Sequence, residues 1–161
     1  MNNSIKSYWL SVGITVVLIL ATVLVAGCGQ QGANLTNGVV SEITMSTSVD
    51  SNNRPVNPTT VFPIDAAGFY CSFKLSGFPV GAKLEAQWIY VGGDPEAEAI
   101  TGKNYVAETQ TATIATEGQG YTYTVYTRGG IAGYENWPKG DYKVVINVDG
   151  QEKASTYFKV Q

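Results

Sequence analysis

Apolar residues follow two different patterns along this chain of 161 residues. From Leu10 to Ala26 every residue is apolar or small and none is charged, which predicts a hydrophobic helix that enters a lipid bilayer. From Val39 onwards apolar and polar residues alternate with a period of two, the pattern of half-buried strands. The chain is therefore predicted to consist of a membrane-directed N-terminal segment and an all-β domain.

The alternation is clearest in the segments that supply the expected core. Four strands are predicted, at Phe69–Leu75, Lys83–Val91, Tyr142–Val148 and Glu152–Val160. Trp88 falls on the apolar face of the second of them and is expected to be the central core aromatic. Asp149-Gly150 separates the last two strands and is typical of a two-residue hairpin turn with positive φ at both positions.

Other segments alternate less regularly. In the predicted strand Val39–Val49, one side carries Val39, Ile43, Met45 and Val49. A polar turn is expected over Asp50–Thr59, followed by a short edge segment at Val61–Phe62. An acidic turn is expected over Gly92–Glu98, and after it an irregular strand over Thr101–Val106 and a weakly alternating Thr/Ala-rich segment over Glu108–Thr116. A further strand is expected over Tyr121–Arg128. No segment of useful length has a helical period, so about seven short strands should form an antiparallel β-sandwich.

The last three residues of the apolar run and the two residues after it carry a processing signal. Leu24-Val25-Ala26-Gly27-Cys28 resembles the lipobox of bacterial lipoprotein precursors. That resemblance implies cleavage before Cys28, a diacylglycerol on its sulfur and acyl chains that hold the protein in membrane lipid. The alternative is that residues 10–26 stay as a transmembrane anchor. The predicted organisation is a signal peptide at 1–27, a flexible tether at 28–38 and a β-domain at 39–161.

Charge and cysteine content limit the partners and the chemistry. Loss of Lys6 with residues 1–27 changes the formal net charge from −3 to −4, and this mildly acidic balance gives no reason to bind nucleic acid. Once Cys28 is acylated, Cys71 is the second and last cysteine and cannot form an intrachain disulfide. Its position on an apolar strand face predicts a small buried side chain.

The C-terminal half carries a second resemblance. A strand with a central Trp88, a Pro-x-Gly-x-Tyr corner (Pro138, Gly140, Tyr142) and a terminal hairpin look like an immunoglobulin or fibronectin type III sandwich. That resemblance implies that the Tyr142 hydroxyl caps the corner between the sheets. The paired cysteines of antibody domains are missing, because the position opposite Cys71 is Val144.

Few residues offer chemistry. The chain has no histidine, which removes His-dependent nucleophiles and most zinc sites, and no enzyme or cofactor is expected. The densest carboxylates are Asp94, Glu96 and Glu98, a weak candidate for Ca²⁺ whose alternative is a solvated loop. Exposed aromatic side chains can stack on sugars, and the aromatic residues to test for that role are Tyr126, Tyr134 and Trp137.

These observations favour an extracytoplasmic lipoprotein, held through Cys28 in the outer leaflet of the cell membrane or in an outer membrane. Its Ig-like domain is expected to be a non-catalytic module that binds an envelope protein or has a structural role. The alternative is a module that binds a glycan or small ligand through the aromatic residues between Tyr126 and Trp137.

Overall fold

The computed structural model describes residues 38–116, 119–127, 131 and 134–161, so the apolar run, the lipobox with Cys28 and most of the predicted tether lie outside the described residues. The described elements are β1 Val39–Val49, β2 Pro55–Pro58, β3 Val61–Phe62, β4 Gly68–Ser76, β5 Lys83–Gly92, α1 Pro95–Thr101, β6 Tyr105–Thr113, β7 Gln119–Thr127, β8 Gly140–Val148 and β9 Gln151–Val160. In the described part of the chain no helix has the length and apolar composition to cross a bilayer.

The strands form two sheets, as predicted. One has the order β2-β1-β4-β7 and the other the order β3-β9-β8-β5-β6. All neighbours are antiparallel except β3, which pairs with β9 in parallel. The structure describes nine strands where about seven were expected. The short edge strand β2 was not predicted, the expected edge segment forms β3, and parts of the two segments expected at Thr101–Val106 and Glu108–Thr116 form the single strand β6.

The inner faces of the sheets follow the predicted alternation in the central strands. In β4, Phe69, Cys71 and Phe73 are at most 1% exposed. In β5 the buried set includes Trp88, which is 1% exposed, and in β8 Tyr142, Val144, Ile146 and Val148 are all buried. The Asp149-Gly150 hairpin has φ values of 50° and 77°, the positive φ at both positions that a type I′ turn needs.

A bulge in β1 breaks the alternation expected there. Val39 is 54% exposed, whereas Val40 and Met45 are buried, so the prediction that Val39 shares the apolar side with Met45 is wrong. The pairing of β1 with β4 shifts between Ser41 and Thr44, and Glu42 lies in this bulge with φ of 54°. The extra residue moves the positions before it to the opposite face.

Two further segments differ from the prediction. Pro55–Pro58, inside the expected polar turn, forms the edge strand β2, where proline is tolerated because one side of the strand has no neighbour. The segment expected as an acidic turn and irregular strand contains α1. Asp94 caps this helix and Pro95 begins it, a combination that favours a helix start in a segment too short to show a helical period.

Strand direction gives the sandwich two distinct ends. At the Gly38 end, the chain enters β1, β4 passes into β5, and the Asp149-Gly150 hairpin joins β8 to β9. At the α1 end lie α1, the start of β6, the end of β7 and the corner that precedes β8.

The Tyr142 hydroxyl closes the corner before β8. It donates a buried hydrogen bond of 2.8 Å to the carbonyl oxygen of Pro138, four residues upstream, and the ring is 1% exposed. Burial raises the pKa of this phenol, so the hydroxyl stays a proton donor. The predicted corner role of Tyr142 is confirmed by this contact.

Replacing Tyr142 by phenylalanine tests how much this corner contributes. We expect Tyr142→Phe to lower the free energy of unfolding by about 1–3 kcal/mol, because the Pro138 carbonyl loses its partner in a buried place. Tyr157→Phe is the matched control, since Tyr157 is 59% exposed. Urea unfolding of both variants measures the difference, and equal midpoints would contradict the assigned role.

Candidate functional site at the α1 end

The aromatic residues proposed for ligand stacking are mostly inside the core. Tyr126 is 0% exposed and Trp137 is 4% exposed, and their ring centroids lie 4.8 Å apart. Trp137 Nε1 donates a hydrogen bond of 2.7 Å to the carbonyl oxygen of Ala66. These two rings pack between the sheets, which does not support the hypothesis that they stack on a sugar.

Tyr134 is half-buried and lies beside the acidic residues of α1. Burial, together with the charges of Asp94 and Glu96, raises the pKa of its phenol. The structure therefore brings Tyr134 and the acidic group to one end of the sandwich, although the two were predicted as unrelated candidates.

Two of the three acidic residues accept hydrogen bonds from the backbone, and the third is exposed. Asp94 Oδ1 accepts hydrogen bonds from the backbone N–H groups of Glu96 and Ala97, at 3.0 and 3.3 Å. Glu98 accepts one of 2.7 Å from the N–H of Gly93 and pairs with Lys103, while Glu96 is exposed. Within the described ranges, no group of three or more residues could hold a metal ion.

A tyrosine hydroxyl joins α1 to the corner before β8. Tyr90 accepts a hydrogen bond of 2.7 Å from the N–H of Asp94 and lies 3.3 Å from the carbonyl oxygen of Lys139, to which it donates. The two backbones meet here, since a Cβ placed on Gly140 would lie 2.2 Å from the carbonyl oxygen of Gly92. The α1 end is thus a closely packed corner, and its polar groups mainly satisfy one another.

One buried polar atom at this end has no partner. Among the described side chains, the hydroxyl of Tyr126 is buried without a hydrogen bond, which is unusual in a native core. Burial is the main cause of its raised pKa, and the nearby Glu108 and Tyr105 raise it further. Both neighbours belong to β6, so this unpaired hydroxyl lies on the β6 side of the core.

Sequence reasoning missed a polar network that joins β6 to β7. Trp88 Nε1 donates to Thr124 Oγ1 at 3.1 Å, and Thr124 donates to Gln110 Oε1 at 2.5 Å. Gln110 Nε2 in turn donates to the carbonyl oxygen of Val125 at 2.7 Å. The sequence signal for this network is the series of Thr and Gln residues in β6, because a half-buried strand would normally carry apolar residues at alternate positions.

Cys71 is buried, as predicted. Its side chain is 0% exposed and its thiol is free. Desolvation raises the pKa of this thiol to about 12, so almost none of the reactive thiolate forms in the folded protein at neutral pH. Val144, the residue expected opposite it, is also fully buried.

Comparisons with known proteins show the fold only. The chain matches no protein-family model and no curated protein sequence. It is similar to an immunoglobulin-like protein from Pseudomonas aeruginosa, with 15% identity, a TM-score of 0.51 and coverage of 77% of this chain and 96% of that one. It is also similar to part of the alkylpurine DNA glycosylase AlkC from Pseudomonas fluorescens, bound to DNA, with 12% identity and a TM-score of 0.51 over 77% of this chain.

The glycosylase is much longer, and the matched region covers 30% of its length. At such low identity these likenesses establish an Ig-like β-sandwich and carry no activity with them.

The role of Asp94 as a helix cap leads to a stability prediction. We expect Asp94→Ala to lower the free energy of unfolding by about 1 kcal/mol, because two backbone N–H groups lose their acceptor. Glu96→Gln, at an exposed position of the same helix, should change it by less than about 0.5 kcal/mol. Thermal and urea unfolding measure both, and an Asp94→Ala protein as stable as the control would show that the cap contributes nothing.

The buried thiol predicts slow modification. In the Cys28→Ala protein, where Cys71 is the single thiol, reaction with a chromogenic disulfide at pH 8 should be about a thousandfold slower than in denaturant, because the thiolate fraction is that much smaller. The folded state keeps the thiol proton to higher pH than the unfolded chain does. Its free energy of unfolding should therefore fall as the pH rises from about 8.5 towards the raised pKa of about 12. Rapid modification of the native protein would contradict the burial.

Proposed function

We propose that this protein is a lipid-anchored extracytoplasmic lipoprotein whose Ig-like sandwich is a non-catalytic binding or structural module. The observation that carries the proposal is the Leu24–Cys28 segment at the end of an uncharged apolar run. In this arrangement the signal peptidase cuts before Cys28, and the acylated cysteine becomes the N-terminus. Two or more acyl chains then give stable anchoring, which one chain would not.

The distance between the lipid and the domain fits a short tether. Ten positions separate Cys28 from Gly38, the first described residue of the domain. A flexible chain of that length has a mean reach of about 15–20 Å, so the proposed tether is long enough to separate a folded domain from the headgroups.

The non-catalytic part of the proposal is supported by what the side chains do. The chain has no histidine, the Cys71 thiol is buried, and Asp94 and Glu98 are bound to backbone N–H groups of α1 and of the segment before it. These candidate groups have structural partners or are shielded from solvent. A role in binding fits such a domain better than a role in chemistry.

Fatty-acid labelling tests the anchor. Cells that make the wild-type protein should incorporate a radioactive fatty acid into it, and Cys28→Ala should lose that label because the acylated atom is gone. Cys71→Ala is the matched control, since it removes the other cysteine and should keep full labelling. Label retained on Cys28→Ala would refute the lipoprotein assignment.

Processing gives a second readout in the same cells. The wild-type precursor should shorten by 27 residues, the length of the segment before Cys28, whereas Cys28→Ala should keep its apolar segment. Mass spectrometry of the purified proteins measures both. A full-length, unacylated wild-type protein would instead support a retained transmembrane anchor.

A further inference from the structure

The two sides of the sandwich have very different strand edges. On one side the outer strands are β2, which contains Pro55 and Pro58, and the two-residue β3, which is followed by Pro63. On the other side the outer strands are β6 and β7, nine residues each. From Tyr105 to Thr127 the sequence has no proline, lysine or arginine. Proline and lysine usually protect an edge from pairing with another strand. β6 keeps a different protection near its start, a bulge where its pairing with β5 shifts beside Glu108, so its regular free edge runs from Glu108 to Thr113.

A groove lies between these two outer strands, and we call it the β6–β7 seam. Towards the Gly38 end it has a volume of about 240 Å³ and is lined by Leu75, Leu84 and Ala112. Its middle part has a volume of about 130 Å³, shares Leu84 and Ala112, and reaches Phe73. The two parts adjoin at Leu84 and Ala112, so apolar side chains line the place where they meet.

Side chains substitute for a neighbouring strand along the seam. The carbonyl oxygen of Val125, on the free side of β7, accepts the amide of Gln110, as it would accept a backbone N–H of an adjacent strand. The seam thus presents backbone edges and apolar side chains on one side of the domain.

We propose that the β6–β7 seam binds an extended, uncharged segment of another polypeptide. The segment would pair with the backbone of β6 and place small apolar side chains on Leu84 and Ala112. A row of backbone donors and acceptors is specific for a polypeptide strand. The only charged residue within β6 and β7 is Glu108, so nothing in the walls selects a strongly charged partner.

A strand-forming peptide tests the seam directly. The probe is a nine-residue peptide of alternating threonine and valine, acetylated and amidated, added to the full chain purified in detergent. Hydrogen exchange should slow at least about tenfold in β6 or β7 amides and stay unchanged in β2 and β3, because pairing protects backbone N–H groups. A peptide of the same length with proline at alternate positions cannot pair and should give no protection.

Lysine substitutions locate the binding surface. Ala112→Lys should weaken peptide binding at least about tenfold, because a charge in the groove would be desolvated. Val56→Lys, on the proline-containing edge strand, is the matched control and should bind within about twofold of wild type. Thr111→Lys, exposed on the other face of β6, is a second edge variant for use if Ala112→Lys unfolds.

Several results would overturn the proposal: no protection at millimolar peptide, equal binding of the proline peptide, or equal binding by the edge variants. A dimer without peptide that Ala112→Lys dissociates would show that a second copy occupies the seam. The peptide measurement does not depend on acylation, and the labelling experiment does not depend on the seam, so failure of one proposal is distinguishable from failure of the other.

Discussion

Aromatic packing around Phe69 holds the two sheets together. Its ring centroid lies within 6.4 Å of five others, with Trp137 at 4.3 Å and Phe158 at 4.8 Å, and the remaining three are Phe62, Tyr126 and Tyr142. These rings come from both sheets and from the segment before β8, so one cluster connects elements distant in sequence. Aromatic pairs add to the free energy of burial through their geometry, and this packing sets the spacing of the sheets at the α1 end.

That cluster also determines where binding can occur. Tyr126 and Trp137 are used to fill the core, which removes the rings best suited to stack on a sugar. The α1 corner is likewise occupied by its own hydrogen bonds, through Tyr90 and Asp94. The surface that remains open consists of two strand edges with apolar residues between them. Recognition by backbone pairing therefore fits this domain better than recognition by a preformed pocket.

Sequence patterns predicted the central strands well and the periphery poorly, for physical reasons. In β4, β5 and β8 one face is fully buried, so burial imposes strict alternation. The bulge at Glu42 and the short strand β2 depend on pairing with distant strands, which a local pattern does not contain. The burial of Tyr126 could not be predicted because β7 has tyrosines on both faces, and hydrophobicity alone does not distinguish the buried Tyr126 from the exposed Tyr123. Asp94 and Pro95, the cap and first residue of α1, are a helix-start signal that can be read from the sequence. The helix that follows them is too short to show a helical period, so no helix was predicted there.

Close packing fixes how the chain enters the domain. A Cβ on Gly38 would lie 2.2 Å from the ring of Phe78, so the backbone passes directly against a buried ring and a residue larger than glycine would displace it. The proposed seam depends on other elements, because its lining comes from β4, β5, β6 and β7 and from the segment after β6. A strand that pairs there would therefore leave the packing at Gly38 unchanged.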